Sequence, residues 1–212
     1  MKKVLRDVLS ALFLLFCWPL FLYKVYGNKD YKLTGRTIII SNHYSTFDAF
    51  FIYLIYGRKR AIHFVTIEET KKKLWSRFIT WLFDCVYINK ATINISFFKK
   101  CIRILNDDGV ICIFPEGYVN PRKYGFLLFK ASYIFFARKT QAIILPLYIY
   151  PRISFLKKTL IYVGDPLWTE DYAQFADRDE ASIYVQSQIM NYSERIDQVL
   201  EQQKHSRTHH LE

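Results

Sequence analysis

His43 and Asp48 stand five positions apart at the end of an apolar run, within TIIISNHYSTFDAF (37–50). An imidazole and a carboxylate at that spacing can meet across a strand-to-helix turn. The carboxylate then fixes the ring tautomer and stabilises the imidazolium, while the second ring nitrogen faces a cleft as a general base. The serine-nucleophile pattern G-x-S-x-G is absent, so the hydroxyl activated by such a dyad would belong to a substrate. The same residues have a plain structural reading. Ser45-x-x-Asp48 fits a capping box, and NHYS a polar turn.

A second carboxylate narrows the choice. Phe114-Pro115-Glu116-Gly117 follows the apolar run VICIF (110–114) as a sharp turn that presents Glu116 at a strand end. In open α/β sheets ligands bind outside the carboxyl ends of the strands, so the two polar turns are expected to line one crevice. Lys90, after CVYIN (85–89), is a cation at the same kind of position.

The elements that must hold these turns follow from hydrophobic periodicity. Strands are expected at 36–41, 61–67, 85–89, 110–114, 142–150 and 159–164. Helices are expected at 46–56, 71–84, 92–106, 127–140 and 178–204. Leu74, Phe78, Trp81 and Leu82 make one helical stripe. In 92–106, Ile93, Phe97, Ile102 and Leu105 face inward, and Lys99, Lys100 and Arg103 outward. Strands alternating with helices point to an α/β sheet covered on both faces.

A composition of 51% hydrophobic and 18% aromatic residues in 212 excludes disordered and fibrous classes. The net charge of +11 favours an anionic partner: nucleic acid, an anionic lipid surface or a phosphorylated ligand. The basic residues are scattered and match no nucleic-acid motif. Cys17, Cys85, Cys101 and Cys112 form no C-x-x-C pair and read as buried packing thiols of a reduced compartment.

At the N-terminus, Lys2, Lys3 and Arg6 precede an uncharged, aromatic-rich stretch (8–23) that Pro19 interrupts. It is short for a span and lacks a small-x-small cleavage site. It reads as a kinked helix or helix pair lying in one leaflet beside cytosolic headgroups. The expected location is therefore the cytoplasmic face of a membrane, the inner membrane in a bacterium. The expected division is a membrane-associating helical segment at 1–30, a domain at 31–204 and a disordered tail at 205–212. His205, His209 and His210 carry no metal claim, and His63 reads as structural. Lys71–Lys73 read as a solvated or headgroup-facing helix start, and Phe50, Phe51, Tyr53 and Tyr56 as core.

Asn42-His43-x-x-x-x-Asp48 followed by Phe114-Pro115-Glu116-Gly117 resembles the glycerolipid acyltransferase family, which includes the 1-acylglycerol-3-phosphate (lysophosphatidate) O-acyltransferases. The resemblance runs over residues 30–165. Within it, FLLFKAS places Lys130 near an acceptor site, and ILPLYI, with Pro146, matches the fourth block. It implies a mixed central sheet flanked by helices, glycerol-3-phosphate acyltransferase-like, with an amphipathic or apolar N-terminal membrane helix. It also implies a function in phospholipid biosynthesis: His43, assisted by Asp48, deprotonates the hydroxyl of a lysophospholipid, which attacks the thioester of acyl-CoA or acyl carrier protein. Glu116 and Gly117 would hold the acceptor's polar end, and basic residues its phosphate. No metal and no cofactor beyond the acyl donor are implied, and no nucleic-acid partner.

The chain departs from the family pattern in two places. After Glu-Gly the family continues Thr-Arg-Ser, its arginine serving the acceptor phosphate. Here Tyr118, Val119 and Asn120 follow. The second block ends in arginine, and here Lys90 keeps the charge without the planar two-pronged grip. Arg122 is the candidate substitute, or a solvated loop residue. A different lysolipid acceptor, such as a lyso-aminolipid, and a basic non-catalytic membrane-binding protein remain as alternatives.

Overall fold

The computed structural model describes residues 8, 9, 12, 21–89, 95–120, 125–151 and 158–208. Seven strands form one sheet: β1 (Tyr23–Gly27), β2 (Thr37–Ser41), β3 (Ile62–Ile67), β4 (Val86–Ile88), β5 (Val110–Ile113), β6 (Ile143–Ile149) and β7 (Thr159–Val163). Their order is β1-β7-β6-β2-β5-β3-β4. From β6 to β4 the strands run parallel. β7 is antiparallel to β6, and β1 is parallel to β7, so the sheet is mixed as expected.

The central strands read as unbroken apolar runs because both of their faces are covered. Ile38 and Ile40 of β2 join Ile111 and Ile113 of β5 in one core layer. Ile39 joins Val110 and Cys112 in the other. Burying each such isoleucine stabilises the fold by roughly 1.5–3 kcal/mol. The first layer is closed by α3 (Ile95–Asn106), α4 (Ser132–Thr140) and α6 (Arg178–Thr208). The second is closed by α1 (Asp48–Ile52) with the π-helical turn that continues it, Tyr53–Gly57. The ring of Tyr53 lies over Gly57, where a Cβ would fall 2.4 Å from it. Phe50, Phe51 and Tyr56 are core, as read from the sequence. The remaining helices are α2 (Leu74–Leu82), preceded by a 3-10 turn at Glu68–Lys72, and the short α5 (Thr169–Ala173).

Several boundaries differ from the sequence reading. β1 lies inside the stretch assigned to the N-terminal segment. Tyr23 and Val25 pack on the core while Lys24 points out, so the lysine that ends the apolar run is the solvent position of a strand. The rest of the 1–20 reading falls almost wholly outside the described residues. Among those described, no helix is long and apolar enough to cross a membrane.

α4 begins at Ser132 rather than 127, because the backbone before it is committed elsewhere. The N–H of Leu127 goes to Glu116, that of Phe129 to Gln186 and that of Lys130 to Pro115. α6 runs through His205 to Thr208, its polar end free of Gly and Pro, so 205–208 are helical rather than tail. In α3, Phe97, Cys101, Ile104 and Leu105 are the buried positions, with Ile102 only partly covered. His63 is structural: its Nδ1 lies 3.2 Å from the carbonyl of Asp84.

Candidate active site

The site begins where β2 leaves the sheet. Asn42 is fully buried. Its Nδ2 donates to the carbonyl of Ile149 and its Oδ1 accepts the Ile149 N–H, both at 2.8 Å. The amide thus replaces a rung of the ladder to β6 and sets the direction in which the next residue, His43, emerges. Asn42→Ala is expected to destabilise the fold by about 2–6 kcal/mol, since it strands two buried backbone groups at about 1–3 kcal/mol each. Chemical denaturation measures it, and a loss below 1 kcal/mol would refute this role.

His43 Nδ1 lies 3.0 Å from Asp48 Oδ2. The same oxygen accepts the N–H of Tyr44 at 2.7 Å and of Ser45 at 2.8 Å. Asp48 is the first residue of α1 and fully buried. Burial pushes its carboxyl above the usual range, and His43 with the two N–H groups pulls it partly back. The imidazole stacks on Phe114, ring centres 4.1 Å apart and planes within 15°. With Nδ1 committed to the carboxylate, Nε2 is the nitrogen left to take a proton. The capping reading of Ser45 changes in detail. Phe47 is the N-cap and has no side-chain cap bond, while Ser45 serves the turn through its backbone and accepts the Phe47 N–H at 3.2 Å.

The second turn grips the backbone of the first. Glu116 Oε1 accepts the N–H of His43 at 2.8 Å, and Oε2 that of Leu127 at 3.3 Å. The carbonyl of His43 accepts the N–H of Asn120 at 2.6 Å. Glu116 is buried, and burial raises its carboxyl while these N–H groups lower it. The structure therefore places this carboxylate on the chain's own backbone, where it positions His43. The two polar turns lie side by side: the ends of β2 and β5 are neighbours and are tied together at His43.

The acyltransferase family pattern matches residues 23–150. The chain belongs to the acyltransferase family. No curated protein matches it in sequence. Among solved structures it is similar to the crystal structure of the 1-acyl-sn-glycerophosphate (LPA) acyltransferase PlsC from Thermotoga maritima. The TM-score is 0.68 and the identity 21%, over 92% of this chain and 81% of that one. At that identity the likeness concerns the fold: an α/β mixed sheet flanked by helices.

In this acyltransferase Gly117 has φ +80°, and the side chain of Lys130 crosses it. A Cβ on Gly117 would lie 3.3 Å from Lys130 Nζ. Lys130 is exposed, and its N–H is held by the carbonyl of Pro115 at 3.0 Å. Pro146 sits in β6 where β7 has given way to the turn after Val163. Its carbonyl accepts the Gly164 N–H, and the return bond of that pair, which a proline cannot donate, falls just past the end of β7. Lys90 and Arg122 lie outside the described residues, as does Cys17.

The described thiols are buried. Burial pushes Cys85 and Cys101 up to about 12 and Cys112 well above its ordinary value, so none is a nucleophile near neutrality. Among the described residues no cluster of three His, Cys, Asp or Glu is placed to hold a metal.

Sequence reasoning missed two contributors. Tyr44 supplies an N–H to Asp48 and sends its hydroxyl to the carbonyl of Gly125 at 2.7 Å. Asn120 holds the carbonyl of His43 and donates its amide to Gly125 at 3.2 Å. Asn120 stands at the family's serine position, and a polar residue retained there was the one visible clue.

Proposed function

We propose that this acyltransferase transfers a fatty acyl group from a thioester donor, acyl-CoA or acyl carrier protein, to the hydroxyl of a lysophospholipid. The first acceptor is 1-acylglycerol-3-phosphate and the product phosphatidate. The observation that carries the reading is the His43–Asp48 pair at 3.0 Å, held from behind by Glu116.

His43 Nε2 removes the acceptor's hydroxyl proton as its oxygen attacks the thioester carbonyl. The C–O bond forms, the C–S bond breaks, and the imidazolium returns the proton to the departing thiolate. Asp48 holds the ring and stabilises its charged state. Neither an acyl-enzyme nor a cofactor enters this scheme. Lys130, beside the Gly117 turn, is the described cation we assign to the acceptor's phosphate, with Lys90 and Arg122 as the further candidates. The protein acts at the cytoplasmic face of a membrane, a location supported by its +11 charge and by the amphiphilic acceptor.

A second reading keeps the chemistry and changes the acceptor. It rests on Tyr118 and Val119 standing where the family carries its phosphate-binding arginine. Product formation from a panel of lysolipids with one labelled acyl donor decides between them. Lysophosphatidate is expected to react fastest, and a clear preference for an acceptor without a terminal phosphate would install the second reading.

A further inference from the structure

We propose that the outward face of α2 is a docking surface for an anionic lipid bilayer. This helix is apolar on two sides. Its inner side, Leu82 with the following Phe83, is buried in the core beneath the sheet. Its outer side is apolar as well: Leu74 is 81% exposed, Trp75 67%, Trp81 44% and Phe78 37%. The rings of Trp75, Phe78 and Trp81 follow one another along the helix at centre distances of 5.8 and 6.3 Å. Exposed apolar groups this large and this contiguous mark an interaction surface. Tryptophan in particular is enriched where water meets lipid.

Charge selects the occupant. From residue 71 to 83 the chain carries Lys71, Lys72, Lys73 and Arg77 and no acidic residue. Glu68 in the preceding turn is paired with Lys71 at 3.4 Å. Lys71 also lies over the ring of Tyr87 at 4.0 Å. Lys71, Leu74, Arg77, Phe78, Trp81 and Tyr87 enclose an open groove of about 530 Å³. Basic side chains framing an apolar aromatic face fit a bilayer with anionic headgroups: the rings enter the acyl boundary and the cations meet phosphate. A second copy of this chain fits poorly, because an isologous contact would set the same four cations against each other.

Position supports the same occupant. β3 runs parallel to β5, and β5 to β2, so the turn that starts α2 lies at the end of the sheet that carries His43. A bilayer meeting this face lies next to the site. For that orientation the inference rests on the lipid acceptor of the proposed function.

The test uses the full chain and reads where it touches lipid, without acyl transfer. One version keeps Trp75 alone, with Trp18, Trp81 and Trp168 changed to Phe. A second keeps Trp168 alone. Trp168 is also exposed, at 52%, but it follows Leu167, which bridges Ile144 at the opposite end of the sheet. Phosphatidylcholine vesicles with or without phosphatidylglycerol carry brominated acyl chains. Trp75 is expected to shift to the blue and be quenched several-fold more strongly than Trp168, and to do so with the anionic vesicles rather than with phosphatidylcholine alone. In otherwise native protein, Trp75→Ser with Trp81→Ser is expected to weaken vesicle binding by about tenfold, equivalent to about 1.4 kcal/mol, with an unchanged melting temperature.

Vesicle binding that leaves Trp75 unquenched, including binding through the N-terminal segment alone, overturns the proposal. So does equal quenching in neutral vesicles. So does a fall from dimer to monomer by light scattering in the serine variant, with vesicle binding retained. A non-lipid acceptor would show in the substrate panel and leave the quenching as it is.

Discussion

Replacing His43 by alanine is expected to lower kcat for acyl transfer by about 10²–10⁴-fold, the range for loss of a positioned general base. The KM for the acyl donor should move little, because the ring handles the acceptor's proton rather than the donor's binding. The fold is expected to survive. The main chain at position 43 is held by Glu116 on one side and Asn120 on the other, and neither bond uses the imidazole. What the variant loses structurally is the face stacked on Phe114. The measurement is single-turnover acyl transfer beside a thermal melt. Activity within a few fold of wild type, in protein that melts normally, would remove the base from the mechanism.

Asp48→Asn is expected to cost a similar factor, about 10²–10⁴-fold, for a different reason. An amide can still accept from His43, Tyr44 and Ser45, so the geometry is kept. The negative charge that stabilises the imidazolium is gone. Stability is expected to respond with the opposite tendency. Burial holds the Asp48 carboxyl above its ordinary range. A group whose folded value is raised favours the native state fully below its unfolded value, and that contribution is lost as pH rises through the folded value. Wild type therefore carries the burden of a buried anion at neutral pH, and the amide does not. Denaturation curves at acid and neutral pH should show the stability difference moving in favour of the variant as pH rises. A difference that moves the other way, or not at all, would mean that the carboxylate is stabilised by its surroundings.

Most of the sheet was legible because its central strands are covered on both faces, and an all-apolar run such as Ile38–Ile40 has no other comfortable home. The edge was harder. In β1 the pattern Tyr23-Lys24-Val25 alternates, but its short length and the apolar stretch before it favoured a helical reading. The His43–Asp48 pair was readable once Phe114–Gly117 stood beside it; its spacing alone fitted a capping box as well. Its support was not readable. Glu116 looked like a ligand-binding carboxylate because a strand-end turn displays it. Only the three-dimensional path of the loop shows that both its oxygens turn back to the backbone at His43 and Leu127. Side chain-to-backbone bonds of this kind link residues far apart in the chain and leave no periodic trace in it. Asn42, bonded to Ile149 across 107 positions, is the same case.

The grip of Glu116 and Asn120 on the peptide of His43 bears on any attempt to re-engineer the enzyme. A chimaera that imports the 114–120 loop of a relative to change acceptor preference also imports the clamp that aims His43. Tyr118 and Val119 are the positions to randomise first, with Glu116 and Asn120, which bond the peptide of His43, held constant. Under the proposed function, acceptor specificity and the support of His43 share one loop, and they can be selected separately only at residue level.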